Sequence, residues 1–446
     1  MRSYLSRAHL NFYCGMKSRK IIYLEKVLGA MAVIVLKRHK PKIVAITGSV
    51  GKTSTKAAVF TVLASKYVVR ENQKNYNNEI GIPLTIIGAD SGGRNIFKWL
   101  WVFIKWLFVV ISPRYPEILV LELGVDRPGD MKYFMSFIQP TVGIVTNVSL
   151  SHIEFFKTVE NIAKEKRVLV EAVGQDGYAI LNADDENVLK MSQYTKAQII
   201  SFGQADDANI NASNLVYNYQ EDKPEGISFK LNYDGKNVPI RLRNILAAHY
   251  VYAALIGVAA GIIFKINLVD IANALEKFRS PQGRMNLLSG KAGSFVIDDT
   301  YNASPMSMLA ALSVLEQLKA KRKIAVLGDM LELGDLTRSG HSEVVQKIFS
   351  SKIDIFIAVG TRMKEATSEL IKLGFSPANI FEFNDPESAG EKVQELVKEG
   401  DFVLVKGSQG MRMEKIVEKI LENQGERENL LCRQSAEWRK KPFVQP

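Results

Sequence analysis

The residues best able to act together chemically stand in one loop, Ile46-Thr47-Gly48-Ser49-Val50-Gly51-Lys52-Thr53-Ser54. Gly48 and Gly51 free the backbone to curl, so that successive N–H groups and the start of a following helix face anionic oxygens. A cradle made of Gly48, Ser49, Val50, Gly51, Lys52, Thr53 and Ser54 suits the phosphates of a nucleotide. Lys52 would neutralise the β and γ phosphates, and the hydroxyl of Thr53 or Ser54 would reach a magnesium ion bridging them. The usual phosphate-loop spacing has a glycine where this chain has Ile46, so the plain motif is not met. The alternative is a glycine-rich turn without a ligand. The flanks argue against it: a β-branched run from Lys42 to Ile46 leads in, and Ser54 to Ser65 has helical composition.

A strand–loop–helix unit needs a sheet to hold it. Further strands are expected at Pro83 to Ile87, Ile118 to Leu123 and Val142 to Val145, with helices between them, which implies a parallel sheet covered on both faces. After a helix from Leu268 to Lys277, the turn-forming stretch Phe278 to Arg284 marks a boundary. Beyond it the rhythm resumes. Strands are expected at 294–297, 323–327, 353–359 and 402–405, and helices at 306–318, 340–349, 362–373 and 411–421, a doubly wound α/β pattern. The expected organisation is a basic, apolar helical segment at 1–40, a central nucleotide-binding domain at 41–279, a Rossmann-like domain at 280–422 and a polar, loosely ordered tail at 423–446.

Bulk composition narrows the class. With 446 residues, 47% hydrophobic and 24% charged, the chain reads as a multidomain globular protein. No uncharged apolar run reaches the roughly 18 residues of a membrane span. The first 20 residues lack the apolar core and cleavage site of a signal peptide. Two cysteines, Cys14 and Cys432, exclude a disulfide framework or a four-cysteine zinc site and suit a reducing cytoplasm. The net charge of +11 gathers toward the ends without the basic–aromatic interleaving of a nucleic-acid module, so no nucleic-acid partner is expected, and the chain reads as a monomer. Residues 21–36 form an apolar helix with a basic flank. Phe97 to Ile111 is a second apolar stretch, with Lys98 and Lys105 on one helical face beside Trp99 and Trp106. It is either a buried packing helix or a helix lying in a membrane interface, which would place the protein at the inner face of the membrane.

Taken together, the ordered blocks resemble the Mur ligase family, in its MurF type. Thr47-Gly48-x-x-Gly51-Lys52-Thr53 is similar to the family's nucleotide loop, and Asn75 to Thr85 to the segment that follows it. The match continues through Leu121 to Gly124, Thr146-Asn147-Val148 with His152, Ile297 to Pro305, Leu327 to Gly334 and Val405 to Glu414. The resemblance implies an ATP-dependent, ADP-forming amide ligase that activates a carboxylate as an acyl phosphate, with ATP and Mg2+ as cofactors. Its implied substrates are a muramoyl-peptide precursor and D-alanyl-D-alanine or a similar amine. Glu122 and His152 resemble the family's magnesium ligands, joined by Thr53 and by Lys166 where the family carries a carbamylated lysine; Lys164, two residues away, leaves the register open. Asn147 would fix the loop or a phosphate. His249, Arg284 and Asp299 fall at positions that bind the nucleotide, Arg284 toward its phosphates and Asp299 toward its ribose. Asn77, Asn78, Tyr301, Asn302, Ser304, Lys406 and Ser408 are the implied substrate contacts, and Arg412 either joins them or caps a helix.

The match breaks in three places. At Ala247 to Leu255, Tyr250 and Ala253 replace asparagines that contact adenine in the family, with Tyr250 left to stack on a base; Gln409 replaces a common arginine. The chain is also expected to lack the N-terminal domain that holds the UDP-sugar. Two further readings therefore stay open: another Mur-fold amide ligase acting on a different or lipid-linked precursor, and a non-catalytic nucleotide-binding scaffold.

Overall fold

A computed structural model describes residues 19–73, 76–93, 95–149, 153–221 and 223–444. The chain divides into two compact units, residues 1–211 with 252–271 and residues 212–251 with 272–446.

The first unit is built on parallel strands β1 (Lys42–Thr47), β2 (Val69–Glu71), β3 (Ile118–Glu122), β4 (Val142–Val145), β5 (Tyr178–Asn182) and β6 (Gln198–Gly203). They lie in the order β2-β3-β1-β4-β5-β6, all in parallel register. The central strands β1, β3 and β4 are almost wholly apolar and buried, as strands sandwiched between helices must be. Helices α1 (Arg19–His39), α2 (Lys52–Leu63), α3 (Gly81–Ile87), α4 (Ile96–Ile111), α5 (Asp130–Met135) and α6 (Val159–Glu171) belong to this unit. Because β1 pairs with β3 on one side and β4 on the other, the C-terminal ends of these three strands open at one crevice, where an open α/β sheet binds its ligands.

One expected strand is a helix. Pro83 to Ile87 lies in α3, all of whose residues are buried. The β-branched run suggested extension, but the Asn78 side chain accepts from the N–H groups of Ile80 and Gly81 at its start, and Gly88 closes it at φ 78°. Caps at both ends outweigh a weak strand propensity over so short a run.

The second unit holds a six-stranded sheet of β10 (Asn286–Ser289), β11 (Phe295–Asp299), β12 (Arg322–Gly328), β13 (Ile355–Val359), β14 (Ile380–Phe383) and β15 (Asp401–Lys406). The order is β10-β11-β15-β12-β13-β14, parallel except for the β10–β11 pair. Between the sheets in sequence run β7 (Ile210–Gln220) and the antiparallel hairpin β8 (Lys223–Tyr233) and β9 (Lys236–Arg243). The expected loose tail is instead docked. Leu431 and Cys432 are buried, and the Val444 N–H donates to the Gly410 carbonyl at 2.8 Å. Arg412 and Arg433 both pair with buried Glu414, at 2.5 and 3.1 Å, so Arg433 of the tail is tied to the core and Arg412 is held by an internal ion pair.

Candidate active site

In the first unit the loop between β1 and α2 is held from β4. Gly51 sits at φ 83° as the N-cap of α2. The Thr146 hydroxyl donates to the Val50 carbonyl at 2.6 Å, the Val50 N–H donates to the Asn147 side chain at 2.8 Å, and the Ser49 hydroxyl donates to the Ser149 carbonyl at 3.0 Å. A Cβ on Gly48 would lie 1.8 Å from the Thr146 hydroxyl, so only glycine lets these segments approach. Asn147 thus fixes the loop. The Lys52 ammonium curls back onto the loop, donating to the carbonyls of Gly48 at 2.6 Å and Ser49 at 3.2 Å. Ser54 is buried on α2, whereas the Thr53 hydroxyl donates to Glu122 Oε1 at 3.1 Å, so Thr53 is the hydroxyl at the crevice.

Glu122 ends β3 as a buried carboxylate. Its Oε1 also accepts from the Asn77 side chain at 3.3 Å, while its Oε2 has no hydrogen-bond partner and lies 3.8 Å from the Lys56 ammonium. A buried carboxylate oxygen left bare is costly unless something cationic meets it. Lys56 and Asn72 are site residues that the sequence reading missed. The Asn72 side chain accepts from the Glu122 N–H at 2.7 Å and donates to its carbonyl at 3.2 Å, and Lys56 in turn donates to the Asn72 carbonyl. The available signal was a lysine one turn beyond Lys52, at the point where the helix turns apolar.

Of the two lysines on α6, Lys166 is buried, at 3% exposed, whereas Lys164 is exposed to solvent. Burial, and then the positive charge of Lys52, lower the Lys166 amine to about 7. Its neighbour Glu165 is occupied elsewhere, accepting from the N–H groups of Gly129 and Met131 at the start of α5. His152 lies outside the described residues. Among the described residues no group of three His, Cys, Asp or Glu side chains is placed to hold a metal. Thr53 and the Glu122 carboxylate suit a hard cation that takes its other oxygens from phosphates and water.

The second unit brings a separate set together. Asp299 forms an ion pair with buried Lys406 at 2.6 Å, and Lys406 also donates to the Asn302 carbonyl at 2.8 Å. The Arg284 guanidinium lies 4.2 Å from the Tyr301 ring centroid. The Asn302 side chain accepts from the Gln409 N–H at 3.2 Å, and Ser408 accepts from the Leu331 N–H at 2.8 Å. Ser304 is the N-cap of the helix Pro305–Gln317, and Asn78 serves the start of α3, so these two have structural duties. His249 stacks at a tilt on Tyr250, with centroids 4.6 Å apart. Tyr250 itself is fully buried, its hydroxyl bonded to Ser280 and to the Arg284 carbonyl. That corrects the expectation that it stacks on a base: it pins the turn that carries Arg284.

Two family descriptions match the chain, Mur ligase middle domain over residues 106–261 and Mur ligase, glutamate ligase domain over residues 283–409. A similar protein is the UDP-N-acetylmuramoyl-tripeptide--D-alanyl-D-alanine ligase of Bacillus subtilis (strain 168), 29% identical over 86% of this chain and 76% of the relative. The ligase of the same name from Escherichia coli (strain K12) is 27% identical over 89% and 80%. Among solved structures, MurF from Acinetobacter baumannii superposes with a TM-score of 0.75 at 25% identity, covering 90% of this chain and 81% of that one. MurF ligase from Thermotoga maritima in complex with ADP shares the fold, with a TM-score of 0.71 at 23% identity over 91% and 84%.

Proposed function

Because this chain belongs to the Mur ligase family and is an ATP-dependent, ADP-forming ligase, we infer that it joins D-alanyl-D-alanine to a muramoyl-peptide precursor in peptidoglycan synthesis. The observation that carries the site assignment is Glu122, with Oε1 held by Thr53 and Asn77 and Oε2 without a hydrogen bond, 3.8 Å from the Lys56 ammonium.

In this reading the precursor's carboxylate attacks the γ-phosphate of ATP to give an acyl phosphate and ADP. The amine then attacks the acyl carbonyl, and phosphate leaves. The protein's task is to neutralise charge and hold the reactants in line. The loop N–H groups face the phosphates, and Lys52 releases its hold on the Gly48 and Ser49 carbonyls to meet the terminal phosphate. Thr53 and Glu122, with His152 from the family resemblance, would hold Mg2+, which when bound offsets the charge of the phosphates. Lys166 supports the same reading. A buried amine lowered to about 7 is substantially neutral at physiological pH, the form that adds carbon dioxide to become a carbamate. Asp299 and Arg284 are assigned to the nucleotide and Tyr301, Asn302, Lys406 and Ser408 to the substrate.

The free thiol of Cys432 and ATP use fit the cytoplasm. Peripheral contact with the inner face of the membrane is supported by α4, whose large side chains Phe97, Trp101 and Phe108 are exposed. The same face favours a second reading in which the precursor is lipid-linked. Phosphate release should be measured with UDP-muramoyl tripeptide and with its lipid-linked counterpart, each with D-alanyl-D-alanine or single amino acids. Turnover with the UDP-linked tripeptide and the dipeptide is expected; turnover only with the lipid-linked precursor would replace the first reading by the second, and none with any pair would refute both.

A further inference from the structure

Helix α4 has one side that the fold uses and one that it does not. Its inward residues are committed: Val102 is buried, and the Trp106 indole donates to the Met31 carbonyl of α1 at 3.0 Å. Eight large apolar residues from Ile96 to Ile111 are exposed, including Phe97 at 78% and Trp101 at 61%. At 100° per residue they fall within one arc of about 160°, with no polar side chain inside it. Lys98 and Lys105 follow along one edge of that arc. The Asn95 side chain accepts from the Phe97 and Lys98 N–H groups, so the helix is capped.

Helix α1 continues the pattern. Tyr23, Val27 and Ile34 are exposed beside Lys20, Lys26, Lys37 and Arg38, and the helix is held to the core next to α4 by Leu28, Met31, Ala32 and Val35. The one carboxylate in the two helices, Glu25, is buried. The exposed surface of this pair is therefore apolar in the middle and cationic at the rim, with no exposed acid.

We propose that the outward faces of α1 and α4 form a docking surface for an anionic phospholipid membrane, on which α4 lies in the interface plane. Sixteen residues rise about 24 Å, short of a hydrocarbon core of about 30 Å, and no described helix is long and apolar enough to cross a membrane. Lying flat is the remaining geometry for an apolar arc with basic edges. Charge and polarity select lipid over protein. A protein interface carries about one hydrogen bond per 100–200 Å², and inside this arc only the Trp101 indole N–H could supply one. A second copy of the chain would bring two cationic rims together. This deepens the membrane part of the proposed function and is independent of the ligase chemistry, which phosphate release in solution tests by itself.

The test is flotation of the full-length protein with vesicles of phosphatidylcholine alone or mixed with phosphatidylglycerol, at low and high salt, alongside light scattering without lipid. Co-flotation with the anionic vesicles at least about tenfold above the neutral ones is expected, weakening in high salt. A triple variant, Phe97→Ser with Trp101→Ser and Phe108→Ser, should lose flotation, and Lys98→Glu with Lys105→Glu should lose the preference for phosphatidylglycerol. Neither should change phosphate release in solution, which also reports that the variants fold. The proposal is overturned if the wild type floats with neither vesicle, or if the triple variant floats as well as the wild type. It is equally overturned by a dimer in solution that the triple variant dissolves without any loss of vesicle binding.

Discussion

Among single residues, those that matter are strained electrostatically rather than sterically. Lys52→Ala should lower phosphate release on the order of a hundredfold or more, because the loop N–H groups alone cannot offset the terminal phosphate; a steady-state assay decides it, and wild-type turnover would remove the mechanism. Lys166 makes a pH prediction. Its amine, lowered to about 7 by burial and by Lys52, is neutral above that pH and protonated below it. Activity in carbon-dioxide-free buffer should therefore recover on adding bicarbonate above pH 7 and not below about pH 6, where a protonated amine cannot form a carbamate. Recovery that is indifferent to pH would count against the modification.

Asp298 carries a stability signature. It is fully buried, accepts from the Thr300 N–H and hydroxyl through Oδ1, and has no partner for Oδ2; burial raises its carboxyl from 3.8 to about 7. Between those values the folded state keeps a proton that the unfolded chain has released. Stability from this group is thus full below pH 3.8 and declines toward pH 7, by up to about 1.4 kcal/mol per pH unit. Asp298→Asn should flatten the fall in melting temperature over pH 4 to 7, and a variant that keeps the wild-type slope would show that the carboxyl is charged throughout.

At the scale of elements, ends decide what middles leave open. The run from Pro83 to Ile87 has the composition of a strand, and it becomes α3 because Asn78 satisfies its first donors and Gly88 ends it. Asn78→Ala should accordingly cost about 1 kcal/mol of stability, a few degrees of melting temperature or less, with little change in KM for the precursor. A large KM effect without loss of stability would return Asn78 to the substrate contacts. The strand–loop–helix around Lys52 needed no such arbitration. Its β-branched strand, two glycines and helix all point the same way, and β1, the loop and α2 form where the sequence places them.

On the scale of the whole molecule, two α/β units carry 58 basic and 47 acidic residues in one chain. The excess of +11 is not spread evenly, since α1 and α4 expose only cations. In the absence of lipid the full-length protein is expected to behave as a 49.8 kDa monomer, because the cationic rims of its apolar surface repel their copies. Light scattering at low and high salt checks this; a stable dimer at low salt contradicts it.

Sequence by itself determined the α/β class, the glycine loop between strand and helix, and the carboxylate that ends β3. These follow from backbone preferences and short-range periodicity, which a linear chain carries without reference to what lies across from it. Tertiary structure alone distinguishes the surroundings of Lys164 and Lys166. The two are about 200° apart on one helix, and only packing against the sheet makes one a buried, weakly basic amine and the other a solvated cation. It also turned Tyr250 from a base contact into a buried pin and drew Lys56 and Asn72 in behind Glu122. Which groups share a low-dielectric pocket depends on chain segments far apart in sequence, and no local pattern records that.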